Sequence, residues 1–246
     1  MDFKLTHIGE TDSTNRWLRE NGSNDDAVVV ADYQSAGRGC GKNTWESERG
    51  KNLLFSMLWH PIGFPASRQF QISQAVSLAL CEVLALYIKE VEIKWPNDIY
   101  HQNRKLAGIL IENRLNGAFL KDSIIGIGLN VNQQNFVSDA PNPVSLCQIL
   151  GQEVDREELL NNILTGIWKE LHQLSTCDPA RLKARYTARL YRRTGSHWFR
   201  DTATGRLFTG SIADIEDDGH LMLCDDNGQA LRYAFKEVEF IERVKG

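Results

Sequence analysis

The sequence contains few of the patterns that mark secreted, membrane or metal-binding proteins. Its five cysteines are scattered, odd in number and include no CxxC pair or cysteine–histidine spacing typical of zinc sites. This favours a reducing compartment with free thiols over a disulfide framework. No apolar run approaches the roughly 20 residues that cross a bilayer, and the N-terminus lacks the charged-then-apolar pattern of a signal peptide. We therefore predict a cytoplasmic protein without membrane attachment.

A strong excess of one charge, internal repeats and low-complexity tracts are also missing. The net charge is −4 and the pI is near 5.9, which argues against a broad electrostatic footprint for nucleic acid but leaves a local basic patch open. No GxSxG sequence and no metal-spaced histidine pair occurs. The simplest hydrolase interpretations are therefore excluded.

The 246 residues suit one large domain, or a main domain with a small appendage. Apolar and β-branched runs predict strands at residues 4–8, 27–31, 53–59 and 123–132. Apolar spacing and capping residues predict helices at residues 16–20, 67–88, 155–174 and 179–190. Two glycines interrupt the last strand, and glycine inside a strand often marks the close approach of a ligand or another backbone.

The pattern changes near residue 190, where we place a domain boundary. From there to the C-terminus, short apolar segments at residues 197–199, 207–209, 221–223 and 231–233 predict strands. The dipeptides Thr204-Gly205, Asp218-Gly219 and Asn227-Gly228 separate them and are typical of hairpin turns. The sequence thus predicts two units, residues 1–190 and a small all-β unit over residues 191–246.

Polar residues concentrate in a central hairpin, residues 94–112. An apolar run ends at Trp95, Pro96-Asn97-Asp98 predicts a turn, and a second apolar run starts at Leu106 after a polar connection. Asp98 could bind Mg²⁺ or simply cap the turn, and Lys105 could be a functional cation or a solvated strand-edge residue. Residue types alone leave an ordinary hairpin and a functional site both open.

A glycine loop (residues 37–42) follows the second predicted strand. Its three glycines let backbone N–H groups converge on an anion, and Arg38 and Lys42 add positive charge. It matches neither the Walker A spacing nor the dinucleotide fingerprint. Phosphate or carboxylate binding and a mobile surface loop both remain open, as do stacking or core roles for Trp45 and ligand or strand-end roles for Asn130 and Asn132.

Four sequence blocks in one order carry a resemblance to a known family. They are Asp12-Ser13-Thr14-Asn15, then Gln34-Ser35-Ala36-Gly37-Arg38-Gly39, then Lys94-Trp95-Pro96-Asn97-Asp98 with Lys105-Leu106-Ala107-Gly108-Ile109-Leu110, then Gly126-Ile127-Gly128-Leu129-Asn130-Val131. This arrangement resembles biotin protein ligase (biotin–[acetyl-CoA-carboxylase] ligase), in a short form without an N-terminal DNA-binding domain. The resemblance implies an α+β fold: a mixed β-sheet with helices packed on one side, like the class II aminoacyl-tRNA synthetase catalytic domain, plus a small C-terminal SH3-like β-barrel.

The resemblance also implies an activity. The enzyme would make biotinyl-5′-AMP from biotin and ATP with release of pyrophosphate, using Mg²⁺ with ATP, and would then pass biotin to a lysine of a biotin carboxyl carrier domain. Lys105 and Arg38 would be catalytic, and the metal ligands stay unassigned. The implied residues for biotin and the adenylate are Ser13, Thr14, Asn15, Gln34, Gly37, Arg38, Gly39, Cys40, Trp45, Asn97, Asp98, Lys105, Gly108, Gly126, Gly128 and Asn130.

Two rivals remain beside this interpretation. Lipoate ligase or octanoyltransferase is similar in fold but normally lacks the lysine-tryptophan-proline-asparagine-aspartate block, and a non-catalytic ligand- or carrier-binding protein could keep the fold. Because the ligase-like sequence starts by Ile8, we expect no helix-turn-helix and no DNA binding. A homodimer is possible.

Cys40 departs from the family pattern, in which the loop commonly carries a second arginine at this position. The loop therefore has one cation fewer, and Lys42, two residues away, could replace it. We expect this protein to form the adenylate more slowly, or to release it more readily, than a relative with arginine at this position. Cys40→Arg should therefore slow the release of biotinyl-5′-AMP, measured as its dissociation rate. An unchanged rate would contradict this expectation.

Overall fold

The computed structural model describes residues 3–23, 25–41, 43–137 and 142–242. The helices are α1 Thr14–Asn21, α2 Phe70–Leu84, α3 Leu146–Leu150, α4 Arg156–Gln173 and α5 Pro179–Ala188, with a 3₁₀ turn at Ala66–Arg68. The strands are β1 Lys4–Thr11, β2 Ala27–Gln34, β3 Leu53–Trp59, β4 Val91–Lys94, β5 Asp98–His101, β6 Arg104–Asn116, β7 Phe119–Leu129, β8 His197–Asp201, β9 Leu207–Ile215, β10 Leu221–Asp225, β11 Ala230–Tyr233 and β12 Val238–Phe240. In the described part of the chain, no helix is long and apolar enough to cross a membrane.

Strands β1 to β7 form the main sheet, in the order β1-β2-β3-β7-β6-β5-β4. β1 runs parallel to β2, and every other neighbouring pair is antiparallel. The predicted mixed sheet is therefore confirmed. β3 is buried at every position, as expected for a strand that is covered on both faces.

Three long helices cover one face of the main sheet. α2 is buried along almost its whole length and packs against α4 and α5. Local chemistry fixes where the outer helices begin: the Asp155 carboxylate accepts hydrogen bonds from two backbone N–H groups at the start of α4, and Asp178 caps α5 ahead of Pro179. The predicted helix over residues 67–88 is shorter than expected, because its ends form tighter turns.

α1 lies on the opposite face, so the expectation of helices on one side was wrong for this helix. Side chains alternate along β2: Val28 and Val30 face the large core, whereas Val29 joins a small cluster with Leu18 of α1, Leu58 and Ile124. This cluster holds α1 close to the sheet. It thereby positions two buried polar residues, Thr14 and Asn15.

The central hairpin is a three-stranded meander rather than the predicted strand, turn and strand. The polar connection after the turn forms β5, which pairs with β4 on one side and β6 on the other. Its Ile99 and Tyr100 are buried, and two apolar residues were too short a run to predict a strand. The pairing shifts register between Ile99 and Tyr100.

Strands β8 to β12 form the C-terminal sheet, in the order β11-β10-β9-β8-β12. The four strands predicted in this region are confirmed, and β12 is an additional one. Trp95 joins the two sheets: its Nε1 donates a hydrogen bond to the Gly219 carbonyl (2.9 Å), and its ring lies 6.1 Å from that of Phe235, centroid to centroid. The SH3-like class and the boundary near residue 190 stay predictions.

The cluster beneath α1 predicts a specific loss of stability. Leu18 is fully buried, so Leu18→Ala should leave a cavity and lower the free energy of unfolding by about 2–5 kcal/mol. Leu86→Ala is the matched control, because Leu86 is 78% exposed, and it should change stability by less than about 0.5 kcal/mol. Urea unfolding measures both. Equal effects would mean that α1 does not pack as described.

Candidate active site

A cavity of about 1230 Å³ lies between the main sheet and the C-terminal sheet. Its walls come from the start of α1, the glycine loop, strands β5 to β7 and residues 235–242. All of the predicted site residues except Gly37 line it: Ser13, Thr14, Asn15, Gln34, Arg38, Gly39, Cys40, Trp45, Asn97, Asp98, Lys105, Gly108, Gly126, Gly128 and Asn130. Gly37 lies at the base of the loop, where its carbonyl accepts a hydrogen bond from the Trp45 N–H (2.9 Å).

One end of the cavity is a network of polar side chains. Gln34 Oε1 accepts hydrogen bonds from the Thr14 backbone N–H (2.8 Å) and hydroxyl (3.1 Å). The Ser56 hydroxyl lies 2.7 Å from Thr14 Oγ1 and 2.6 Å from Asn15 Oδ1. Ser56 was missed from the sequence because it sits inside an otherwise apolar strand. The network places donors and acceptors close together inside the protein.

Glu112 connects this network to the glycine loop and was also missed. Its carboxylate accepts hydrogen bonds from Asn15 Nδ2 (2.8 Å), Arg19 (2.6 Å) and Arg38 (3.2 Å). Burial raises the pKa of Glu112, but hydrogen bonds from Asn15 and Arg19 and the charge of Arg38 outweigh burial and lower it below its ordinary value. The carboxylate therefore stays ionised and orients Arg38.

The glycines of β6 and β7 leave room for side chains that cross the sheet face. A Cβ at Gly126 would lie 2.1 Å from Asn15 Oδ1, and one at Gly128 would lie 2.4 Å from the Trp45 ring. A Cβ at Gly108, directly opposite Gly128, would also meet this ring at 2.9 Å. The close approach of two side chains therefore explains these glycines, whereas the strand pattern predicted the approach of a ligand or another backbone at Gly126 and Gly128.

The glycine loop folds back on itself. Arg38 pairs with Thr44 as an isolated antiparallel bridge, and the Gly39 N–H donates to the Asn43 carbonyl (2.8 Å). Cys40 and Gly41 therefore form the tip of the loop. Burial raises the pKa of the Cys40 thiol, and the nearby charge of Lys236 opposes this increase. Lys42, the predicted replacement cation, lies outside the described residues.

Lys105 is held over the cavity rather than solvated at a strand edge. Its Nζ lies 2.8 Å from Asp98 Oδ2, with both side chains about one-quarter exposed, and 5.7 Å from the centroid of the Trp45 ring. Asn97 stabilises this corner through its amide, which donates to the Ile109 carbonyl (2.6 Å). A fixed cation that lines a cavity can bind an anion.

Two buried polar atoms in the cavity wall have no hydrogen-bond partner among the described residues. They are Trp45 Nε1, a donor, and Asn130 Oδ1, an acceptor. Such atoms are costly unless a ligand or water satisfies them. Asn132, the other candidate, exchanges hydrogen bonds with the backbone of Val154 and is therefore structural.

The cavity offers no ready-made metal site within the described part of the chain. There the only cluster of at least three histidine, cysteine or carboxylate groups is Glu216, Asp218 and His220, which does not line the cavity. Arg232 already pairs with both of its carboxylates. Asp98, the predicted metal candidate, is engaged by Lys105. These residues do not fit a metal ion held by the protein alone.

The C-terminal sheet closes one side of the cavity with residues that the sequence did not identify. They include Phe235, Lys236, Phe240 and Glu242. Lys94 lies beneath them: it donates to the Tyr100 hydroxyl (3.0 Å), and burial lowers its pKa. These contacts depend on how the two sheets pack, and no local pattern in the sequence reveals them.

Comparisons with known proteins show which family the chain resembles. The profile of the Biotin/lipoate A/B protein ligase family matches residues 8–130. The bifunctional ligase/repressor BirA of Bacillus subtilis is 30% identical over 228 residues, which cover 90% of this chain and 68% of the relative. The biotin–[acetyl-CoA-carboxylase] ligase of Paracoccus denitrificans is 31% identical over 225 residues, covering 88% and 92%.

A solved structure extends the similarity over both sheets. The biotin protein ligase of Aquifex aeolicus in complex with biotin and ATP has a TM-score of 0.80 and 25% identity, and the match covers 98% of this chain and 99% of that one. Because a family profile spans half of the sequence and a relative aligns over most of both chains, the chain belongs to the biotin/lipoate A/B protein ligase family.

Proposed function

We propose that this protein is an ATP-dependent biotin–protein ligase that forms biotinyl-5′-AMP and transfers biotin to a lysine of a biotin carboxyl carrier domain. The observation that carries the proposal is the convergence of all four sequence blocks on one cavity, with Lys105 and Arg38 beside it. Relatives that carry the name biotin–[acetyl-CoA-carboxylase] ligase and a similar structure with bound biotin and ATP support it.

The polar network suits the ureido ring of biotin, which presents two N–H donors and one carbonyl acceptor. Thr14, Asn15 and Gln34 line the cavity and offer both kinds of group, and the Ser56 hydroxyl holds Thr14 and Asn15 in place. The apolar rest of biotin would then extend along the cavity past Trp45, whose ring covers Gly108 and Gly128. This pose directs the carboxylate of biotin toward Lys105.

In the first reaction, a carboxylate oxygen of biotin attacks the α-phosphorus of ATP and the bond to pyrophosphate breaks. Two anions must approach each other, so cations are needed to offset their repulsion and the charge that develops at phosphorus. Lys105 and Arg38 provide this charge. Asp98 and Glu112 keep the two cations in place. Mg²⁺ would enter with the phosphates of ATP, since Mg²⁺ commonly binds through substrate phosphates and water.

In the second reaction, the uncharged amine of an acceptor lysine attacks the acyl carbon of biotinyl-5′-AMP. An amide bond forms, the anhydride bond to phosphate breaks, and AMP and one proton leave. The glycine loop and the C-terminal sheet bound the cavity, so they limit how water reaches the mixed anhydride. The cytoplasmic location, the lack of DNA and membrane binding and a possible homodimer stay predictions.

Pyrophosphate release tests the proposed function. The purified protein is incubated with ATP, Mg²⁺ and either biotin or lipoate. We expect pyrophosphate with biotin and none with lipoate. The reverse result would identify a lipoate enzyme, and no turnover with either acid would indicate a binding protein.

Replacing Lys105 should abolish adenylation while leaving the protein folded. Lys105→Ala removes a preorganised charge, which lowers the rate of adenylate formation by about 10²–10³-fold. Pyrophosphate release gives the rate, and circular dichroism gives the fold. Lys51→Ala is the control, because Lys51 pairs with the exposed Glu153 and does not line the cavity. Wild-type rates in Lys105→Ala would remove the assigned role.

Glu112→Gln should destabilise the protein in a pH-dependent way. The pKa of Glu112 is lower in the folded protein than its ordinary value of 4.5. Its stabilisation is therefore fully present above that ordinary value and is lost as the pH falls through the lowered one. Thermal unfolding should show the largest difference from wild type above pH 4.5. Glu153→Gln, which removes an exposed ion pair, should show little difference. A pH-independent difference for Glu112→Gln would contradict this assignment.

A further inference from the structure

Lys236 connects the C-terminal sheet to the tip of the glycine loop. It lies in the turn between β11 and β12, and its Nζ donates a hydrogen bond to the Cys40 carbonyl (2.8 Å). The two residues are 196 positions apart in sequence. Lys236 also lines the cavity. Its Nζ has no carboxylate within ion-pair distance among the described residues, unlike Lys105 and Arg38.

The backbone on both sides of this contact is unusual. Lys236 has a φ of +72°, which is a left-handed conformation. Glycine adopts this conformation readily, whereas in other residues the Cβ atom makes it unfavourable. Gly41 has a φ of +68°, and a Cβ there would lie 2.3 Å from Lys236 Nζ. Lysine thus occupies position 236, where the backbone conformation favours glycine. Its ammonium group reaches Gly41, where any other residue would place a Cβ atom in its way.

Neighbouring contacts hold the Lys236 turn in place. Thr202 Oγ1 donates to the Lys236 carbonyl (2.9 Å), and the preceding Phe235 packs against Trp95. Trp95 lies three positions before Asp98, which pairs with Lys105. The ammonium group of Lys236 is therefore directed at the loop tip by elements that are fixed to the central meander.

We propose that Lys236 binds the phosphate of the adenylate and positions the glycine loop from the C-terminal sheet. This inference rests on the proposed function. An ammonium group has three donors. One holds the loop tip through the Cys40 carbonyl, and another binds a phosphate oxygen of biotinyl-5′-AMP. The contact retains the intermediate after pyrophosphate has left.

The test measures the dissociation of labelled biotinyl-5′-AMP from the purified full-length enzyme. Lys236→Gly removes the ammonium group and relieves the left-handed strain, so it should release the adenylate about tenfold faster, the loss expected for one charge-assisted hydrogen bond. Its Tm should equal or exceed that of wild type. Lys236→Arg keeps a cation and should retain most of the slow release. The affinity for biotin without ATP should not change.

A second variant tests the loop side of the contact. Gly41→Ala places a Cβ where Lys236 Nζ lies, so it should also speed adenylate release, and it should add little in a Lys236→Gly background. Wild-type release rates in Lys236→Gly would overturn the inference, as would a Lys236→Arg variant as fast as Lys236→Gly. If the wild-type protein forms no biotinyl-5′-AMP, the proposed function fails instead.

Discussion

The site depends on a strip of sheet surface without side chains. Gly108 on β6 lies opposite Gly128 on β7. Gly126 lies two residues before Gly128, on the same face of β7. Asn15 and the Trp45 ring occupy the space where Cβ atoms would otherwise stand. Because both groups lie directly on the strands, α1 and the glycine loop come close enough to share Glu112 as a partner. A methyl group on this strip would separate the elements that build the cavity.

The cations of the cavity are held by carboxylates on neighbouring strands. Asp98 on β5 holds Lys105, and Glu112 on β6 holds Arg38 and Arg19. The side chains of these ion pairs are 25–44% exposed, so an arriving anion competes for the cations without the large desolvation cost of a fully buried pair. The carboxylates also keep the cations oriented before the substrate binds. Little reorganisation is then required when charge develops at phosphorus, which is the condition for efficient electrostatic catalysis.

Much of this arrangement was predictable because it follows local rules. β3 has the predicted bounds, α4 matches the predicted helix to within one residue at each end, and the glycines of β7 mark a close approach, although of side chains. Ser56 and Glu112 were not predictable, because each lies in a strand where only the three-dimensional neighbour reveals its role. β5 was missed because its two adjacent apolar residues, Ile99 and Tyr100, form a run too short for pattern recognition.

The central meander shows why a local interpretation of its motif is incomplete. Asn97 binds the start of β5 to β6 through a hydrogen bond, and Asp98 orients Lys105. Both residues therefore serve the cavity. Trp95, in the same segment, instead joins the C-terminal sheet through Gly219 and Phe235. One short segment therefore positions the central cation and also docks the sheet that closes the cavity. Because Lys236 extends from that docked sheet to Cys40, the packing of Trp95 places one of the contacts that hold the glycine loop, beside the contact of Arg38 with Glu112.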